Sequence, residues 1–232
     1  MFRFKPIASL CFGSSVFAFN YAFIKFATFN MKDAQVNSND LPISIRLLLL
    51  NEPRFESVKF YHQDNEGFHA QCFADNRAVI GDFKKENEHF GFTLKHELGH
   101  ILHQDGLKQS ALTSLSFGIG YGFFRGFKHR PYLRYLAIPI TLAISEPIGL
   151  IYSQICEKRA DNYAIEKSTN QELLEAAQHY LDRTVLLMPT LWQILNDSHD
   201  RDIVRLNRIS KGLAARKVTK VLTLDIKIGQ LD

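Results

Sequence analysis

Three apolar runs, at residues 6–24, 109–124 and 135–156, decide most of what this chain can fold into. The first has 19 residues without a charge, preceded by Arg3 and Lys5 and closed by Lys25. That is close to the ~20 residues with which an α-helix crosses a bilayer. A membrane anchor is therefore expected. The competing reading is a cleaved signal or transit peptide, since the first acidic residue is Asp33, but no clean A-x-A-like cleavage site follows. The other two runs flank the basic connector RGFKHRPYLR and predict a helical hairpin in or on the membrane. The first of these has only 16 uncharged residues, with Gly118, Gly120 and Gly122, and the second carries Pro139, Glu146 and Pro147. A shallow re-entrant hairpin is thus an alternative to full crossing, and two core helices of a soluble protein are a third reading. Glu146 is costly in lipid unless it faces a cleft, a partner or water.

Between these runs the chain is polar. Residues 31–95 have mixed charge, the turn-like runs NSND and QDNEG, and β-compatible segments around 57–61 and 77–83, which predict a small sheet. Residues 90–104 lack proline and predict a helix, in which Gly99 is tolerable if the helix is strongly packed. QELLEAAQHYLDRTVLL has apolar residues at three- and four-residue spacing and predicts another, while residues 217–228 alternate like a late strand. The +4 charge balance is small and dispersed, which argues against a nucleic-acid partner. Cys11, Cys72 and Cys156 show no C-x-x-C spacing, so neither a disulfide framework nor a cysteine zinc site is indicated, and Cys72 reads as an ordinary buried thiol.

The sharpest chemical signal is HELGH at 96–100. A four-residue step on a helix puts His96 and His100 on one face, close enough to share a tetrahedral Zn²⁺, with Glu97 beside them to reach a water. With this His and Glu content, such a match arises by chance in about 2% of chains. Zinc catalysis also needs a third protein ligand and an open position. The metzincin pattern would place a His at 106 and a Gly at 103, whereas this chain has His103 and Gly106. That class is excluded. His103 continues the same helix face, but a fourth protein ligand would close the site, so it reads as packing or support. After the third apolar run stands EKRAD, where Glu157 could complete the ligand set and Asp161, one turn later, could accept a hydrogen bond from the back nitrogen of a ligating imidazole.

HELGH, a hydrophobic hairpin and then EKRAD, in that order, resemble the integral-membrane gluzincin zinc metallopeptidases that include the CAAX prenyl endopeptidases and the HtpX-like proteases. The resemblance covers roughly residues 68–210. SHDRDIVRL at 198–206 is similar to that family's late T-H-P-P-x-x-x-R-I segment, aligning His199 and Arg205 but lacking both prolines. QCFADNRAVIGDF resembles the family's strand that runs along the cleft and pairs with substrate backbone.

The resemblance implies an α+β, mainly helical, gluzincin-like fold. A small sheet would lie beside the H-E-x-x-H helix, with the hydrophobic hairpin inserted between two zinc-binding halves. It further implies Zn²⁺ held by His96, His100 and Glu157, with Glu97 as general base, Asp161 supporting a ligand, His199 donating to an oxyanion, and Arg205 as a supporting or substrate-orienting charge. His199 and Arg205 are expected to act in turnover rather than in metal binding. The domains would be an anchor or signal-like segment (1–30), a first catalytic half (31–108), the membrane hairpin (109–156) and a second catalytic half (157–232). The expected activity is endopeptidase cleavage of membrane-associated or misfolded proteins, with peptide and membrane lipid as partners. The alternative is a catalytically weak membrane protein using the fold for binding or scaffolding. Arg3, Lys5, Arg125, Lys128, Arg130 and Arg134 would lie in the cytoplasm by the positive-inside rule, making the catalytic side extracytoplasmic.

Overall fold

A computed structural model describes residues 5–29, 35–62, 70–72, 78–81, 90–127, 129–186 and 202–218. The described elements are mainly helical, with one small sheet. In chain order they are α1 (Pro6–Phe29), β1 (Gln35–Val36), α2 (Ile43–Asn51), β2 (Lys59–His62), β3 (Ala70–Cys72), β4 (Ala78–Gly81), α3 (Phe90–His103), α4 (Asp105–Gly126), α5 (Pro131–Lys167), α6 (Asn170–Leu186) and α7 (Asp202–Ala215). The strand expected over 217–228 lies outside the described residues.

The four strands form one sheet in the order β1-β2-β4-β3. β2 pairs with β1 antiparallel, Gln35 opposite Tyr61, and with β4 in parallel, Phe60 opposite Val79. β3 pairs antiparallel with β4, Gln71 opposite Ile80, and so lies at one edge of the sheet, against α3.

α3 has almost no solvent face because three surroundings claim it. Phe90, Leu94, Leu98 and Ile101 enter a core with Leu41, Ile45 of α2, Phe55, Phe60 of β2 and Tyr163 of α5. Phe92 points the other way, into a second core made by Ala164 of α5, Leu173, Ala176, Ala177 and Tyr180 of α6, and Leu206, Ile209 and Leu213 of α7. His96, Glu97 and His100 share neither core. A helix buried all round is stabilised by tertiary packing rather than by propensity, and this is how Gly99 survives in its interior. Gly99 is in fact needed there: a Cβ on it would stand 2.9 Å from Ala160 Cα of α5. The small residue of HELGH and the alanine of EKRAD are the point where the two motif helices touch.

One polar lock fastens α3 from outside the site. Lys95, only 1% exposed, donates to both oxygens of Glu172 at 2.7 and 2.6 Å. Glu172 also accepts the Thr169 N–H at 2.7 Å, while the Glu172 N–H donates to Thr169 Oγ1 at 3.2 Å, a reciprocal capping box that starts α6. Ser44 of α2 donates to the same carboxylate at 3.1 Å. Three helices therefore meet on one buried ion pair. At the end of α5, Arg216 donates to the Ile165 and Ser168 carbonyls, which its last turn leaves without helical partners.

α1, α4 and α5 form an apolar unit. Ser9 and Gly13 of α1 meet Ser114 and Gly118 of α4: a Cβ on Gly13 would stand 2.9 Å from the Ser114 carbonyl oxygen, and one on Gly118 would stand 2.6 Å from that of Ser9. Paired small residues four apart, allowing backbones to touch, are the packing mode of helices in lipid, where burial of large apolar side chains between helices gives no advantage. The large side chains instead point outward, with Leu10 and Phe19 each 71% exposed and Leu115 and Ile151 about 60%. Among the described residues one helix, α5 from Tyr132, is long and apolar enough to cross a membrane. α5 runs unbroken for 37 residues, so the boundary expected at 156/157 falls inside a single helix that carries both the apolar run and Glu157.

Candidate metal centre

The sharp turn between α3 and α4 begins the site. Gln104 adopts a left-handed conformation, φ 55° and ψ 39°, sterically unfavourable for a residue with a Cβ. That turn brings Asp105, at the start of α4, back beneath His100: the His100 Nδ1 lies 3.0 Å from Asp105 Oδ2. Helix periodicity places His96 one turn earlier, and its Nδ1 lies 2.8 Å from Asp161 Oδ1 of α5. Each imidazole thus has a carboxylate behind it.

Those carboxylates are themselves held by arginines. Arg159 donates to Asp105 at 2.6 Å, Arg208 donates to Asp161 at 2.8 Å, and Arg205 Nε lies 2.9 Å from Asp161. Burial opposes the charge on both acids. On Asp161, contacts with His96, Arg205 and Arg208 outweigh burial and hold the carboxyl below the usual carboxylate range. His100 and Arg159 do the same for Asp105.

With the Nδ1 atoms turned to carboxylates, the Nε2 atoms face each other at 3.1 Å. Glu157 approaches from α5, its Oε2 at 3.3 Å from His96 Nε2 and its Oε1 at 3.5 Å from His100 Nε2. One ligand atom from each residue lies within 4.8 Å of the other two, and all three residues are buried. Two zinc-bound nitrogens at 2.0–2.1 Å in tetrahedral geometry stand about 3.3 Å apart, so the spacing suits one ion. The electrostatics ask for one as well. Burial would lower the basicity of His100, yet Asp105, Glu157 and Glu97 overcome it and push its pKa up to about 10 without metal. Three converging acceptors with carboxylates behind them are a cation cage, and the donor set of two imidazoles and a carboxylate fits zinc.

Residues 76–212, more than half of the chain, match the model of peptidase family M48. The chain belongs to peptidase family M48. It is a metallopeptidase of that family, the one to which CAAX prenyl endopeptidases and HtpX proteases belong, and its zinc-binding group, His96, His100 and Glu157, is intact. None of the curated proteins and none of the solved structures compared with this M48 chain matches it.

The remaining sequence-derived positions fall as follows. Glu97 is buried beside the cage, its Oε2 accepting the Cys72 N–H of edge strand β3 at 2.6 Å. Arg205 meets the cage: its Nη2 lies 2.5 Å from Glu157 Oε2 and 3.4 Å from His96 Nε2, and its Nη1 donates to the Tyr180 hydroxyl at 3.2 Å. His199 lies outside the described residues. His103 is outside the metal group, its carbonyl taking the Lys108 ammonium at 2.7 Å. The Cys72 thiol is pushed well up by burial and by Glu97, so it is no reactive thiolate. Asp105, Arg159, Arg208 and Tyr180 were not singled out from the sequence. The position of Asp105, five residues past His100, was a usable signal; the others meet the site only through the fold.

Proposed function

We propose that this M48 chain is a zinc-dependent endopeptidase embedded in a membrane, cleaving membrane-associated or misfolded proteins, with Glu97 as the base. The observation carrying this reading is the place of Glu97, buried beside the three-ligand cage and against the edge of β3. Zinc, when bound, would supply a Lewis acid that polarises a carbonyl and acidifies water. Glu97 can take a proton from a water at the cage and return it to the departing amine. The outer edge of β3 beside it can receive an extended peptide as an added strand, bringing substrate backbone to Glu97.

In this reading Asp105 and Asp161 fix the two imidazoles in the tautomer that presents Nε2 inward. Arg205 orients Glu157 and Asp161 and adds positive charge where negative charge develops. His199 donates to the oxyanion from the segment preceding α7. The lipid-type packing of α1 on α4 and the outward apolar side chains of α4 and α5 support an integral-membrane location, and the basic connector supports an extracytoplasmic catalytic side. A purely binding or scaffolding protein has no use for a buried general base beside the cage, which favours catalysis. Purified protein should cleave casein, lose that activity with 1,10-phenanthroline and regain it with zinc. His199→Ala should lower kcat about 10²- to 10³-fold with zinc retained. Cleavage indifferent to chelation would refute metal-dependent peptidase action.

A further inference from the structure

A cavity of about 490 Å³ lies between α1, α4 and α5, separate from the metal cage and within the range of sites that hold small ligands. Its walls are ordered by the antiparallel course of α4 and α5. Asp105 meets Arg159 at the cage end, and Gly120 meets Thr141 further down, where a Cβ on the glycine would stand 3.0 Å from Thr141 Cγ2. Between those two levels Gln109, Thr113 and Ser116 from α4 and Glu146 and Ser153 from α5 line the cavity, with Leu112 and Leu150 among them. Gln109 and Ser153 are each one helical turn from Asp105 and Glu157. Below that level the lining becomes aromatic, with Phe117, Tyr121 and Phe124 joined by Phe12 of α1, whose ring stacks on Tyr121 at 4.5 Å. Glu146 sits partway along this lining, about 7.5 Å of helix from Thr141 and about 10.5 Å from Ser153.

A single carboxylate among apolar and aromatic side chains suits an amphiphile whose head is cationic. Glu146 is the one charged residue among those lining the cavity, and in an otherwise apolar run it calls for a cationic or hydrogen-bond-donating partner. Gly149 lines the same space, and a Cβ added to it would meet nothing within 4 Å. Among the described residues nothing requires a glycine there, and its lack of a side chain leaves the cavity open. We propose that this cavity binds a single-chain membrane amphiphile with a cationic, hydrogen-bond-donating head, the head against Glu146 and the chain among the aromatic rings. This rests on placing the three helices in lipid, not on the peptidase chemistry.

The test uses the full chain, zinc-loaded, in phosphatidylcholine nanodiscs, with hexadecylamine as probe and native mass spectrometry as readout. One saturable adduct per chain is expected, with hexadecanoate binding at least tenfold more weakly. Glu146→Gln should weaken the amine adduct about tenfold. Gly149→Leu should abolish it, zinc content and helical circular dichroism showing that the variant is folded. Binding by folded Gly149→Leu within twofold of wild type would overturn the proposal, as would equal binding of amine and carboxylate. Binding of a hexadecyl-thioether peptide without binding of the free amine would also overturn it, in favour of a chain carried by substrate.

Discussion

At the scale of single residues, the site is two imidazoles made equivalent by their backing. His96 leans on Asp161 and His100 on Asp105, and each acid is charge-balanced by arginine, so neither carboxylate is left as an uncompensated buried charge. Changing either acid to Asn keeps the shape and removes the charge. Asp105→Asn and Asp161→Asn should each weaken zinc binding about 10- to 100-fold, measured by competition with a fluorescent chelator, with the helical circular dichroism unchanged. Wild-type affinity in both would mean that the imidazoles need no carboxylate support. His96 and His100 were legible in the sequence because they repeat at helical spacing, and Glu157 because EKRAD follows the third apolar run. Arg159 sits inside EKRAD yet reads as an ordinary helix charge, since its partner Asp105 is 54 residues earlier.

Among the elements, α3 depends on its neighbours more than on itself. The Lys95–Glu172 pair is buried at its centre and also closes the capping box of α6. Burial raises the Glu172 pKa, but Lys95, Thr169 and Ser44 outweigh it and leave the carboxyl below its ordinary value of 4.5. A folded-state pKa lowered in this way stabilises the fold above the ordinary value and is lost as pH falls through the folded one. Glu172→Gln should therefore lower the melting temperature at pH 7, because it leaves Lys95 buried without its counter-charge. The gap to wild type should narrow as pH falls below 4.5, and a gap that is constant with pH would contradict the role given to this carboxylate. The predicted helix at 90–104 matches α3 because its boundaries are local. The sheet order was not legible: parallel pairing of β2 with β4, and the place of β3 at the edge of the described strands, are set by non-local contacts that two short apolar segments do not encode.

For the whole molecule, one continuous helix joins the apolar unit to the metal. α5 passes from Tyr132 through Glu157 and Asp161 to Lys167 without a break, so the apolar part and a zinc ligand stand on the same helix. From the sequence this helix looked like two pieces, because composition changes at Glu157 from apolar to charged. Helical geometry has no such boundary until Ser168, where the Thr169 capping box begins the next helix. If, as proposed, the chain crosses three times with a cytoplasmic connector, Ser38→Cys and Tyr132→Cys, in a background lacking the three native cysteines, should label with impermeant maleimide from opposite sides of sealed membranes. Labelling of both from one side would refute three crossings.

On the proposed reading the activity rests on Glu97 acting at a metal held by His96, His100 and Glu157, and one paired measurement on purified protein decides it: zinc per chain together with the rate of casein cleavage. Wild type should hold one zinc and cleave, Glu97→Gln should hold one zinc and lose cleavage, and the double variant His96→Ala/His100→Ala should lose both. Stoichiometric zinc in the double variant, or undiminished cleavage by Glu97→Gln, would contradict the assignment.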